Sequence, residues 1–224
     1  MDKSVAILAF LSGDGPASLS EVVEGTRLPR PTAHRLLTAL ETHHMVSRQG
    51  GRYALGLRLL GWGNRAAGVG LVERAWPVLE GLRNESGEST QLYVREGEHR
   101  VCVAAVERVT GLRDTVPVGA VMPLSRGSAG KVLLAWAPGG GDGRPDAAEL
   151  RGIRVRGWAE SVAEREAGVA SVSAPVLGED GRLRAAVSVS GPISRLGESP
   201  GQRLSHLVVE AAREIESTSG ETSP

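Results

Sequence analysis

Hydrophobic residues at Val5, Ile7, Leu8, Phe10 and Leu11 recur at roughly helical spacing until Gly13, Gly15 and Pro16 break the run, which predicts a short first helix. Ser18 precedes a second apolar stretch (Leu19, Val22, Val23) with Glu21 three residues on, the arrangement of a capping box, and Gly25 closes that helix. Leu28 anchors the next turn. Pro31 falls at the start of a third helix, where its missing N–H had no partner to lose, and Ala33, Leu36, Leu37 and Leu40 carry that helix to about His43. Two extended runs, 45–48 and 52–55, flank Gly50-Gly51 and read as a hairpin. Three short helices with a tight turn before the third, followed at once by a hairpin, make a winged helix-turn-helix. It is the most specific local signal in the chain.

Leu57, Leu59, Leu60 and Trp62 predict a linker helix punctuated by Gly68 and Gly70, and residues 71–86 a further amphipathic helix, bent or restarted near Pro77. After Gly87 the apolar period drops to two. Strands are expected at 90–94, 100–106, 115–121, 169–177 and 183–190, and helices at 128–136, from 146 towards 158, and at 205–215. Gly139, Gly140, Gly141 and Gly143 between Pro138 and Pro145 predict an exposed loop, and residues 217–224 a polar tail. The fold class is therefore α+β. A winged helix-turn-helix spans 1–56, a linker helix 57–70, and a domain with an antiparallel sheet 71–216.

Composition sharpens this. Over 224 residues the net charge is zero, yet residues 27–65 carry seven arginines against Glu41 alone, a local +6. A positive segment on a neutral chain, coinciding with a winged helix, points to double-stranded DNA. Arg30, Thr32, His34, Arg35 and Thr38, at the start of the third helix, are the candidates for phosphate and base-edge contact, and Arg48 and Arg52 flank the wing tip. The competing reading is a solvated polar face; the wing and the local charge weigh against it. Seven aromatic residues are too few to favour base stacking on single strands. A single cysteine, Cys102, excludes a disulfide framework and a cysteine-based zinc cluster, and the histidines have no metal-ligand spacing, so no metal or cofactor is expected. No apolar run approaches the ~20 residues that span a bilayer, and residues 1–6 lack a basic leader pattern, so a cytoplasmic protein without a membrane partner is expected.

Several stretches resemble the IclR-type transcriptional regulators: Ser4-Val5-Ala6-Ile7-Leu8, Leu28-Pro29-Arg30-Pro31-Thr32-Ala33-His34-Arg35-Leu36-Leu37, and Gly51-Arg52-Tyr53-Ala54-Leu55-Gly56-Leu57. In the second half Arg156-Gly157-Trp158-Ala159, the run from Gly168 to Val176, and Ala186-Val187-Ser188-Val189-Ser190-Gly191-Pro192 look like that family's effector domain. Gln91-Leu92-Tyr93 and the run from Gly111 to Gly119 look closest to its NdgR/LtbR branch, associated with leucine and other amino-acid biosynthesis genes. The resemblance implies a DNA-binding regulator with a GAF-like C-terminal ligand domain, assembled as a homodimer or homotetramer on an operator with inverted half-sites. Two departures stand out. The chain is shorter than the family pattern between Ala137 and Gly157, and Ser161, Val162 and Ala163 precede Glu164 where many members carry acidic residues.

Strand alternation puts Ser171 with Ser173 on one face and Ala186 with Ser188 and Ser190 on another. The bland reading is a solvent face. With the amides that open the helix at Ser128-Ala129-Gly130, they could instead line a small polar pocket, and the resemblance extends the set to Ser161 and Val169. No cation stands among them, so the expected effector is a small carboxylate or amino acid, leucine-like, held by hydroxyls and amides. Catalytic motifs fail. Gly61-Trp62-Gly63 lies in a helix, Ser125 and Val132 spoil a phosphate loop around Gly130-Lys131, and Ser188 and Ser190 lack the flanking glycines of a nucleophile elbow. The rival is an α+β enzyme with an N-terminal oligomerisation module, which would have no need of the clustered arginines.

Overall fold

The computed structural model describes residues 2–67, 70–137 and 147–217. The glycine-proline loop 138–146, Gly68 and the tail beyond Ser217 lie outside the described residues. The chain divides into two compact units, 1–69 and 70–224.

In the first unit α1 (Asp2–Asp14), α2 (Leu19–Thr26) and α3 (Arg30–Thr42) precede a hairpin of β1 (Val46–Gln49) and β2 (Arg52–Leu55), and α4 (Arg58–Ala67) follows. Ile7, Leu11, Val22, Leu37, Leu40 and Tyr53 form its core. The capping box at Ser18 is complete: Ser18 N–H donates to Glu21 Oε2 at 2.6 Å and Glu21 N–H to Ser18 Oγ at 3.3 Å. Those bonds, with help from Arg52, hold the Glu21 carboxyl at about 2 instead of 4.5, so its contribution to stability is present above pH 4.5 and lost as the pH falls towards 2. Gly50 and Gly51 both take positive φ (56° and 80°), which a two-residue turn matching the strand twist demands. The bridge between Ala17 and Tyr53 stitches the hairpin back onto the helices.

The second unit is an antiparallel six-stranded sheet in the order β5-β4-β3-β8-β7-β6, with α5 (Leu71–Ser86) and α9 (Gly201–Ser217) on one face and α6 (Ser128–Ala135) and α7 (Ala147–Arg156) on the other. The strands are β3 (Ser89–Glu96), β4 (His99–Val106), β5 (Val121–Pro123), β6 (Ala159–Val162), β7 (Val169–Leu177) and β8 (Leu183–Pro192); a short α8 (Ile193–Leu196) links the last to α9. Val172, Ala174, Val187 and Val189 face α5 and α9, and alternation sends Ser171, Ser173, Ser188 and Ser190 to the α6 side.

Three expectations needed correction. Helix α5 does not restart at Pro77 but runs through it, because Pro77 sits on the exposed side while Leu71, Ala75, Val78, Leu79 and Leu82 bury one continuous stripe. The third strand is confined to 121–123: Pro117 has no N–H to give, and Ala120 N–H turns back to the Pro117 carbonyl, so 115–120 form no strand. The edge strand β6, next to Trp158, was not foreseen as a strand.

Replacing Ser18 by alanine should destabilise the first unit by about 1 kcal/mol in urea unfolding. Cys102 is fully buried, and desolvation pushes its thiol up to about 12. At pH 8 the native protein should therefore show no reaction with a thiol reagent until denaturant opens the second unit.

Candidate DNA-binding face and effector pocket

Helix α3 buries Ala33, Leu37 and Leu40 and turns His34, Arg35, Ala39 and Thr38 outward. Thr32 is half-buried. Arg35 has no hydrogen-bond partner among the described residues and extends from the exposed face, whereas Thr38 spends its hydroxyl proton on the His34 carbonyl at 3.0 Å. Arg30 donates to Ser20 Oγ at 3.1 Å, tying α3 to α2. On the wing, the Arg48 guanidinium lies 5.2 Å from the Tyr53 ring centroid. Arg52 turns inward from the wing. Its Nε and Nη2 donate to the Pro16 carbonyl at 3.1 and 2.8 Å, and it pairs with Glu21 at 3.1 Å. Arg52 is thus a brace between hairpin and helices.

In the second unit the hydroxyls of three buried serines and the half-buried Ser171 form a chain. Ser128 Oγ lies 2.7 Å from both Ser171 Oγ and Ser173 Oγ, and Ser173 Oγ lies 2.9 Å from Ser188 Oγ. Ser128 is the donor to Ser171 and Ser173 the donor to Ser188. Ser190 donates to Gln91 Oε1 at 3.1 Å, and both residues are buried. Beside this seam is a cavity of about 20 Å³, room for about one water, walled by Tyr93, Arg100, Asp114, Ala129 and Arg165 as well as by Ser128, Ser171, Ser188 and Ser190. The absence of a cation, expected from sequence, does not hold. Arg165 Nη2 donates to both oxygens of Asp114, at 2.6 and 2.5 Å. Burial works against the charged guanidinium, but these bonds outweigh it and raise its pKa. Arg100 is only 3% exposed; its Nη1 donates to the carbonyls of Pro123 and Arg126, it lies over the Tyr93 ring, and its Nε has no hydrogen-bond partner. Its pKa is lowered by burial. Tyr93, which alternation alone does not mark, is likewise pushed up by burial and stays a neutral phenol.

The Bacterial transcriptional regulator IclR C-terminal family matches residues 65–140 and 147–217, and the IclR helix-turn-helix domain matches residues 1–50. The chain belongs to the IclR family of bacterial transcriptional regulators. HTH-type transcriptional regulator KipR of Bacillus subtilis is 28% identical over 98% of this chain and 96% of that protein. The glycerol operon regulatory protein of Streptomyces griseus is 33% identical over 88% and 85%. Among solved structures, the Thermotoga maritima IclR aligns with a TM-score of 0.75 at 25% identity, covering 98% of both chains. These families and relatives are transcriptional regulators rather than enzymes. No described helix is long and apolar enough to cross a membrane.

For this IclR-family chain, five sequence candidates meet at one place: Ser128, Ala129, Ser171, Ser188 and Ser190 all touch the cavity. Three do not. Ser161 is buried beside Ser171 on β6, Val169 pairs with Pro192 at the far end of β7, and Gly130 sits under Arg100 and the Leu124 carbonyl, so close that a Cβ there would collide with both. Glu164, which follows the Ser161-Val162-Ala163 run that stands where many family members carry acidic residues, accepts from Gly127 N–H at 3.2 Å and from Lys131 Nζ at 2.5 Å. No group of metal-ligating side chains occurs among the described residues. Sequence reasoning missed Arg100, Asp114 and Arg165. No motif joins them; only the fold brings residues 51 apart into the Asp114–Arg165 pair.

Arg52→Ala, which loses two hydrogen bonds to the Pro16 carbonyl, should lower the stability of the first unit by about 1 kcal/mol, while Arg48→Ala should leave it within about 0.5 kcal/mol. Comparative thermal unfolding measures the difference.

Proposed function

We propose that this regulator binds an operator of inverted half-sites as a homodimer or homotetramer and releases or engages it in response to a small carboxylate or amino-acid effector. The observation that carries the DNA half is the exposed face of α3, with Arg35 free to reach outward inside a segment of charge +6. In this reading Arg35, His34, Thr32 and Thr38 work in the major groove, Arg30 supports them, and Arg48 follows the backbone from the wing; Arg52 contributes charge while its donors stay occupied. Pairing with a second copy is supported by α4 and the residue that precedes it, where Leu57, Leu60 and Trp62 are 86%, 63% and 47% exposed. The protein acts where the DNA is, in the cytoplasm.

The effector half rests on the serine seam and its arginines. Arg100 and Arg165 against Asp114 give the cavity walls a net charge of +1, which suits an anion better than the neutral wall expected from sequence. An acid of small aliphatic shape, leucine or its keto-acid relatives first, is the chemistry that these groups favour, and genes of amino-acid metabolism are the corresponding targets. Two residues of the segments that resemble the NdgR/LtbR branch, Tyr93 and Asp114, wall the cavity, and Gln91 bonds Ser190, which supports that assignment.

Mobility-shift titration with the DNA upstream of its own gene tests the first half. Arg35→Ala should leave the fold intact and cost about 1–3 kcal/mol of operator affinity, concentrated at one base pair if Arg35 reads guanine. Footprinting should show two inverted half-sites. A single asymmetric footprint from a monomer would overturn the symmetry. For the effector, calorimetry with a panel of small acids should show Ser190→Ala weakened by about 1–3 kcal/mol while its DNA affinity without ligand is unchanged.

A further inference from the structure

The cavity that should receive an effector is too small to receive one: about 20 Å³ holds a water, and even a two-carbon acid needs more. What fills the remaining space is part of the chain itself. Asp114, 7% exposed, presents both carboxylate oxygens to Arg165 Nη2, a charge-assisted contact of the kind an arginine makes with a free carboxylate. Asp114 belongs to the segment 107–120 between β4 and β5, which contains neither helix nor strand. Of that segment Asp114 lines the cavity and Val116 is buried in the core on the α6 side, while Val109, Leu112 and Val118 are exposed. Its two ends are fastened: Arg108 N–H donates to Ser89 Oγ at 3.1 Å and its guanidinium to the Gly87 carbonyl, while Gly119 N–H donates to the Cys102 carbonyl at 2.7 Å and Cys102 N–H to the Ala120 carbonyl at 3.0 Å. The stretch between them carries fewer bonds. Arg195 Nη2 donates to the Leu112 carbonyl at 2.6 Å, and Arg113 pairs with Glu107 at 2.7 Å within the segment.

Building on the effector reading, we propose that Asp114 is a resident stand-in for the effector's carboxylate, and that an acid effector binds by displacing Asp114 from Arg165 and freeing the strap 107–120. Charge conservation favours this exchange. Removing Asp114 alone would leave Arg165 and Arg100 as two cations in a largely buried pocket, which is costly. Replacing one carboxylate by another leaves the buried charge where it was and returns Asp114 to water. The hydroxyls of Ser171 and Ser188, which line the cavity and accept from Ser128 and Ser173, then have protons to donate to the newcomer. Specificity follows from the same exchange: a neutral ligand of the same size cannot hold Arg165 and should not open the strap. By linkage, the strap closed over Arg165 lowers the effector's apparent affinity by the fraction of molecules that are open, and the bound effector shifts the strap towards open.

The test uses the full chain, with acetate and 4-methyl-2-oxopentanoate as probes and 4-methyl-2-pentanone as the neutral control. Calorimetry compares the wild type with Asp114→Ala and Asp114→Asn, the second keeping the shape of the side chain if the first folds poorly. Hydrogen exchange follows the amides of 107–120. The expected result is tightening of acid binding by about tenfold in the variants, no binding of the ketone, and exchange in the unliganded variants as fast as in the acid-saturated wild type. Equal or weaker acid binding by the variants, or a strap whose exchange is unchanged when the wild type is saturated, overturns the displacement and leaves the effector reading standing. Failure of every protein to bind either acid overturns the effector reading and the displacement with it.

Discussion

A hydroxyl can be buried between a sheet and a helix only where it finds a partner, because an unmet polar group costs about 1–3 kcal/mol. That constraint organises the second unit. Strands β7 and β8 run antiparallel with Ser171 opposite Ser190 and Ser173 opposite Ser188, so the alternation that sends valines to α5 and α9 sends hydroxyls to α6 in facing pairs. Ser128 at the start of α6 drops into the gap between Ser171 and Ser173 and closes the chain. Its helix can come this close because Gly130 has no Cβ to strike the Leu124 carbonyl. The seam therefore fixes how α6 sits on the sheet, and with it the walls of the cavity.

Arg100 meets the same constraint with more at stake. A buried guanidinium normally takes a carboxylate, and this one takes two carbonyls, the sulfur of Met122 and the face of Tyr93. Those contacts hold the group in place without cancelling its charge. The uncancelled charge is what the proposed preference of the cavity for anions rests on, and Asp114 is the anion that the chain itself supplies to Arg165. On the proposed reading, structure and selectivity come from one arrangement: the groups that are not neutralised from within are the ones available to a ligand.

The DNA-binding unit was legible from sequence because its signals are local. Ser18 and Glu21 cap α2 from three residues apart, Pro31 starts α3, and Gly50-Gly51 makes the hairpin turn without reference to anything distant. The serine faces of β7 and β8 were also readable, since alternation is a local rule. Their environment was not. Gln91 reaches Ser190 across 99 residues, and Asp114, Arg100 and Arg165 carry no motif that announces their meeting. Local rules failed where burial outvoted them: Pro77 should break a helix and does not, because the stripe from Leu71 to Leu82 is packed along its whole length. Residues 115–120 failed the other way, since a β-like composition cannot pair through Pro117.

Counting charge along a segment overstates how many cations can reach for a ligand. Of the seven arginines between 27 and 65, Arg30 is bonded to Ser20, Arg52 to Pro16 and Glu21, and Arg58 to the His43 carbonyl. Their charge still raises the local potential, which draws in a polyanion over several ångströms and weakens with salt. Their donors, however, are already aimed at protein. Directional contact, the part that distinguishes one base pair from another, needs a side chain with donors to spare on a face that fits a groove. On α3 that description suits Arg35, whose neighbours Ala33 and Leu37 anchor the helix while it extends outward. In the proposed reading the two roles separate: the braced arginines contribute attraction to any duplex, and Arg35 is the residue placed to discriminate between duplexes.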